Sequence, residues 1–248
     1  MVKRITEIAG KWIASVAQTY YVESGVYELV EDYGCTDPRV TIEKGFKGDL
    51  IRYCCGGFEE LPCKLLTLEE AKENEVIDNY RVEICRSGRA LPELLINIGA
   101  LATRETINML LPYSAWTHQS RIEYLFVLRS NGKGYLIEGE ESRVYTPLND
   151  ILVSVHTHPD NCILSPHDVR SLKNILMNRG FGGGVIAQDC YFTVLRVGPF
   201  LEEDMMELIE FGNALRRLRA DEINNYLRQG YIGTNLRIYT NYSSISMR

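Results

Sequence analysis

The chain has 248 residues, 45% of them hydrophobic and 24% charged, and its 27 basic and 33 acidic residues leave a net charge of −6. That length and apolar content suit a globular protein of one large domain or two ordinary ones. The acidic balance argues against a nucleic-acid grip, which needs a basic face. The lack of an unbroken apolar run of about 20 residues argues against a membrane span.

The opening stretch "MVKRITEIAGKWIASVAQTYYV" has a basic start, but polar residues interrupt its apolar positions, so no signal peptide is expected. It predicts an amphipathic helix with Ile5, Ile8, Trp12, Ile13 and Val16 near one face. A cytoplasmic protein is the expectation. "VYELV", "RVTIE" and "DLIRYCC" then read as strands between glycine- and proline-bearing turns. "TLEEAKENEV" pairs Thr67 with Glu70 three residues on, a capping-box signature for a short helix. "YRVEIC" alternates as a half-buried strand does. "RSGRALPE" predicts a boundary near residue 90.

The second half changes rhythm. "LPELLINIGALATRETINMLL" is apolar at helical spacing and predicts a helix that stops before Pro112. "RIEYLFVLRSNGKGYLIEG" reads as two strands around an Asn131-Gly132 hairpin turn, and "DILVSV" as another. "DVRSLKNILMNRGF" predicts a helix closed by Gly180, and "RGFGGG" a tight turn. "GVIAQ" and "YFTVLRV" read as strands, and residues 201–230 as a helical stretch broken near Gly212. The fold class expected is α/β (α+β), a mixed β-sheet flanked by helices and preceded by a smaller α+β unit. The division predicted is an N-terminal domain over 1–90, a second domain over 91–232, and a tail over 233–248 whose last residues, "YTNYSSISMR", read as poorly ordered or docked on a sheet edge.

Seven cysteines occur, five of them early: Cys35, Cys54, Cys55, Cys63 and Cys85. No C-x-x-C pair exists, so a zinc-finger pattern is absent. Buried free thiols are the plain expectation. An internal disulfide is the next reading, suited to an intracellular protein mainly in a hyperthermophile, and a structural metal site the third.

The segment "VHTHPDNCILSPHDV", residues 155–169, carries three of the four histidines. Residues i and i+2 of a strand share a face, so His156 and His158 project side by side, as two imidazoles on one zinc ion require. Ser165-Pro166-His167-Asp168 reads as a helix start, with Ser165 as cap and Pro166 at the first helical position. The positive end of the helix dipole favours an ionised Asp168 carboxylate, the form a third ligand needs. Two histidines and one carboxylate leave a coordination position open, the catalytic rather than the structural arrangement. A strand, a turn and a capped helix whose polar groups merely cap and solvate is the alternative. His167 points away and reads as surface. Cys162 reads as a loop residue lining the cleft.

H-T-H-P, five residues, then S-P-H-D resembles the JAMM motif of the JAB1/MPN/Mov34 (MPN+) metalloenzymes. The resemblance extends loosely over residues 96–200, and none is seen in residues 1–90. It implies one Zn²⁺ per chain on His156, His158 and Asp168, and hydrolysis of an amide or isopeptide bond. It also implies an upstream glutamate that moves the proton, and Glu123, opening "EYLFVL" after the first helix, occupies that place. Ser165 would hydrogen-bond the developing oxyanion, or else serve only as a cap. Tyr124, Leu125 and Phe126 depart from the small residues that often follow this glutamate in the family. The short stretch after Asp168 points to a prokaryotic or archaeal member whose substrate is a ubiquitin-like modifier or sulfur-carrier protein. A homo-oligomer or a partner complex fits equally. Two rival readings are a non-catalytic MPN-type scaffold and a RadC-like, DNA-associated protein.

Overall fold

The computed structural model describes residues 4–44, 49–57, 62–141 and 148–242. Its first element corrects the expectation of a helix: Arg4–Ile8 is a strand, β1. Ile5, Thr6 and Ile8 are β-branched and suit a pleated strand. The helix α1 starts only at Lys11 and runs to Glu31, absorbing the "VYELV" expected as a strand. β2 (Arg39–Glu43), β3 (Leu50–Cys55), β4 (Asn79–Ile84) and the short β5 (Arg89–Ala90) form a four-stranded sheet in the order β4-β3-β2-β5. Between β3 and β4 lies α2 (Leu66–Glu73). Thr67 is not its cap: it sits in the first turn, and its hydroxyl donates to Glu28 of α1 at 2.7 Å.

Helix α3 runs from Leu91 to Ser120, straight through Pro112. The proline removes one hydrogen bond, but Leu110, Ser114 and Thr117 are buried on both sides of it and carry the helix across. The other strands are β6 (Ile122–Arg129), β7 (Gly134–Glu141), β8 (Ile151–Thr157), β9 (Gly182–Ile186), β10 (Tyr191–Arg196), β11 (Tyr231–Ile232) and β12 (Leu236–Thr240). They join β1 in an eight-stranded mixed sheet, ordered β1-β7-β6-β8-β9-β10-β12-β11. The remaining helices are α4 (Pro166–Met177), α5 (Glu202–Arg216) and α6 (Ala220–Gln229). The fold is thus mixed α and β.

One face of the large sheet, with Phe126, Leu128, Val155, Ile186 and Leu195, packs on α1 and α3. The other face, with Val185, Phe192 and Val194, packs on Val169 and Leu172 of α4, Leu208 and Phe211 of α5, and Ile223 of α6. "GGG" is not a turn but the start of β9. A Cβ on Gly183 would run into the Ser154 carbonyl of β8, and one on Gly184 into the Phe192 carbonyl of β10, so the strand is seated closely between its neighbours. Nor does Gly180 close α4. The left-handed residue there is Arg179 (φ 64), and Gly180 N–H returns to the Ile175 carbonyl at 2.8 Å.

The predicted division of the chain does not match the packing. β1 pairs with β7 of the second half, and α1 shares one core with α2, α3 and the large sheet. At the other end, β12 pairs with β10, so Leu236–Thr240 docks on the sheet and belongs to it. The last residues of the tail, 243–248, lie outside the described residues, as do residues 1–3.

Arg196 of β10 and Glu23 of α1 form a fully buried ion pair. All five guanidinium donors are used: besides the carboxylate they reach the Gly180, Gly198 and Arg179 carbonyls. The cysteines also depart from the free-thiol expectation. Cys35–Cys55 and Cys54–Cys85 are disulfides of the smaller unit, and Cys162–Cys190 is a third. Cys63 is an exposed thiol.

Candidate metal centre

β8 is an interior strand, hydrogen-bonded on both sides. His156 stands opposite Leu125 of β6 and Val185 of β9. The strand period puts His158 on the same face, and His158 N–H donates to the Ile186 carbonyl at 2.8 Å, extending the ladder past the end of the strand. Asp168 comes from the first turn of α4. Ser165 caps that helix in a complete capping box: its Oγ accepts from Asp168 N–H at 3.2 Å, and its own N–H donates to Asp168 Oδ2 at 2.6 Å. The cap therefore turns the carboxylate back toward the strand.

The three groups converge. Nε2 of His156 lies 3.0 Å from Nε2 of His158, Oδ1 of Asp168 lies 3.3 Å from His156 Nε2, and Oδ2 lies 3.5 Å from His158 Nε2. Tetrahedral zinc with bonds of about 2.0–2.1 Å holds its donor atoms about 3.3 Å apart, so the spacing fits such an ion. Among the described residues these three form the one group of histidine, cysteine and carboxylate side chains able to hold a metal. All three side chains are 12–15% exposed, enough for a ligand to enter.

Electrostatics support the fit. Burial, and then the neighbouring His156, push His158 down to about 4, so its ring is neutral at ordinary pH, as a metal ligand must be. The Asp168 charge, and then the Asn161 backbone, work against this without overcoming it. Burial pulls the Asp168 carboxyl upward, but its hydrogen bond with His156, the charges of both histidines and the bond from Ser165 outweigh it. The net effect holds Asp168 well below the usual carboxylate range.

Glu123 lies two residues before Leu125 and so shares the face on which His156 stands. The β6–β7 pairing slips between Ile122 and Tyr124, with the extra residue on β7, so Glu123 lies opposite a bulge in its neighbour. Bulges re-aim side chains next to active sites. The glutamate is 9% exposed, and burial raises its pKa, with His156 opposing and Asp168 adding to the rise. The structure thus brings Glu123 into the electrostatic field of the histidine–aspartate group. His167 is exposed, as expected. Cys162 is fully buried and bonded to Cys190, so it does not line a cleft.

Sequence reasoning missed the groups that hold the site from α3. Thr117 and Thr157 hydroxyls meet at 2.6 Å, and Thr157 Oγ1 accepts Tyr124 N–H at 2.8 Å beside Glu123. His118 Nδ1 lies 2.8 Å from the Pro159 carbonyl, and Arg121 pairs with Asp160 at 2.5 Å. Their nearest sequence signal is position, since they stand at the end of the helix that leads into the glutamate strand. No family model, curated protein or solved structure matches the chain.

Proposed function

We propose that the protein is a zinc-dependent peptidase or isopeptidase of the JAMM type. The observation that carries this reading is the convergence of His156, His158 and Asp168 at metal-ligand spacing beside a buried glutamate. His156, His158 and Asp168 would hold one Zn²⁺. When bound, zinc lowers the pKa of a water to about 7 and polarises the scissile carbonyl.

Glu123 accepts the proton of the attacking water and passes it to the leaving amine as the C–N bond breaks. Its raised pKa suits that exchange, because proton shuttles work best when their pKa approaches the operating pH. Ser165 caps α4 through its lone pair, so its hydroxyl proton is free to turn toward the carbonyl oxygen. The substrate class, a ubiquitin-like modifier or sulfur-carrier protein, rests on the motif resemblance and on the short connection between α4 and β9. A cytoplasmic setting together with three disulfides points to a hyperthermophilic source, where intracellular disulfides persist. Among the described residues no helix is long and apolar enough to cross a membrane.

Metal analysis of the purified protein should find one zinc per chain, and His156→Ala should lose it. Cleavage of modifier conjugates should fall by about 10²–10⁴ in Glu123→Gln with zinc retained. Protein without stoichiometric metal defeats the reading. Full activity in Glu123→Gln defeats the base assignment alone.

A further inference from the structure

We propose that the Cys162–Cys190 disulfide is a positioning device for this centre, holding the segment between the ligands so that Asp168 and the His158 ring face His156. The inference rests on the metal reading above. Its starting point is an asymmetry among the ligands. His156 and His158 ride on a strand paired on both sides, so the sheet fixes their backbone. Asp168 belongs to α4, and residues 159–165, which join α4 to β8, form neither helix nor strand. Where the carboxylate stands depends on what holds that segment and the helix behind it.

The segment has several non-covalent ties. His118 holds the Pro159 carbonyl, and Arg121 holds Asp160. The Arg121–Asp160 side chains are 45% and 57% exposed, and exposed pairs of this kind hold weakly. Cys162 is different. It is fully buried beside Leu164, and its sulfur is bonded to Cys190, next to the first residue of β10. Ala187 N–H donates to Cys162 Sγ at 3.0 Å. The Tyr242 hydroxyl lies 3.1 Å from Cys190 Sγ and accepts Cys162 N–H at 3.5 Å. The bridge therefore ties the middle of the segment to the turn between β9 and β10, and β9 is the strand that flanks the histidines. Asn161, whose backbone acts on the His158 ring, is the residue just before the bridge. One covalent tie thus lies between the residue beside the His158 ring and the helix that carries Asp168, where outer groups that orient metal ligands act.

The other two disulfides supply the control. They join residues of the smaller unit and include no residue of the centre or its connecting segment. The experiment compares wild-type protein, Cys162→Ala/Cys190→Ala and Cys35→Ala/Cys55→Ala. Zinc affinity is measured by competition with a chelator, and site geometry by the visible spectrum of the cobalt-substituted protein.

The expected result is a fall in zinc affinity of about 10–100-fold, with altered cobalt bands, for the Cys162/Cys190 variant only. Unchanged affinity and spectrum in that variant overturn the proposal, as does an equal loss in both variants, which would reflect general destabilisation. Wild-type protein that binds no zinc overturns this proposal and the metal reading together. If Cys162→Ala/Cys190→Ala does not fold, native protein is treated with dithiothreitol, which passes two electrons and two protons to the bridge and becomes a cyclic disulfide. The freed thiols are then alkylated, the reagent removed, and the opened bridge mapped by mass. Molecules opened only at Cys162–Cys190 should show the same loss of affinity, and retained affinity overturns the proposal.

Discussion

His158 is the group of the proposed centre through which acid acts first. Its folded pKa, near 4, lies below the ordinary 6.5, so folding favours the neutral ring. Its contribution to stability is fully present above pH 6.5 and is lost as pH falls toward 4. Asp168, also depressed, extends the loss at lower pH. Glu123 has the opposite sign: its raised pKa favours the fold while it is protonated, and that gain fades as pH rises past its ordinary 4.5. Chelator-treated protein should therefore lose up to about 1.4 kcal/mol per pH unit between pH 6.5 and 4 from His158 alone. Denaturant titrations at several pH values check this, and a profile equally steep in His158→Gln would contradict it. Ser165→Ala separates the two roles of the cap. It should cost about 1 kcal/mol of stability and, in the proposed reaction, about 10²–10³ in kcat. A stability loss with kcat intact would leave Ser165 a cap only.

At the scale of elements, the sequence was most legible where a local rule met no rival. Ser165, Pro166 and Asp168 mark the start of α4 by chemistry that needs nothing distant. Asn131-Gly132 marks the β6–β7 hairpin, with Gly132 at φ 74. The convergence of His156, His158 and Asp168 was legible because strand period and helix cap are both local. Partners distant in sequence were not. Arg4–Ile8 looks helical alone and becomes a strand because β7 offers an edge. Residues 26–30 look like a strand and stay helical within an α1 that is buried through most of its length. Pro112 signals a stop that tertiary packing overrides. Cysteine pairing, set by folding rather than spacing, left Cys162 misread. Glu23 and Arg196 are 173 residues apart, so no local pattern announces their pair. Glu23→Gln leaves the guanidinium buried without its counter-charge and should cost about 3–5 kcal/mol. Thermal unfolding measures it, and a change under about 1 kcal/mol would show that water reaches Arg196 instead.

Across the whole molecule, the two halves share one core instead of meeting at a linker. α1 lies against both sheets, and strands from the beginning and end of the chain join the sheet that carries His156. Cutting at residue 90 would strip β1 and α1 from that sheet and bare the apolar side chains they cover. The glycine run of β9 carries this dependence to the centre. Gly183 has no room for a Cβ against Ser154, and Ser154 is two residues before His156 on β8. If the centre holds zinc as proposed, Gly183→Ala should lower zinc content with His156, His158 and Asp168 all present, as metal analysis of the variant would show. In a genetic screen for inactive alleles, hits would then cluster at 182–184 as well as at the ligands. A survey that scored only His156, His158 and Asp168 would pass such carriers as intact.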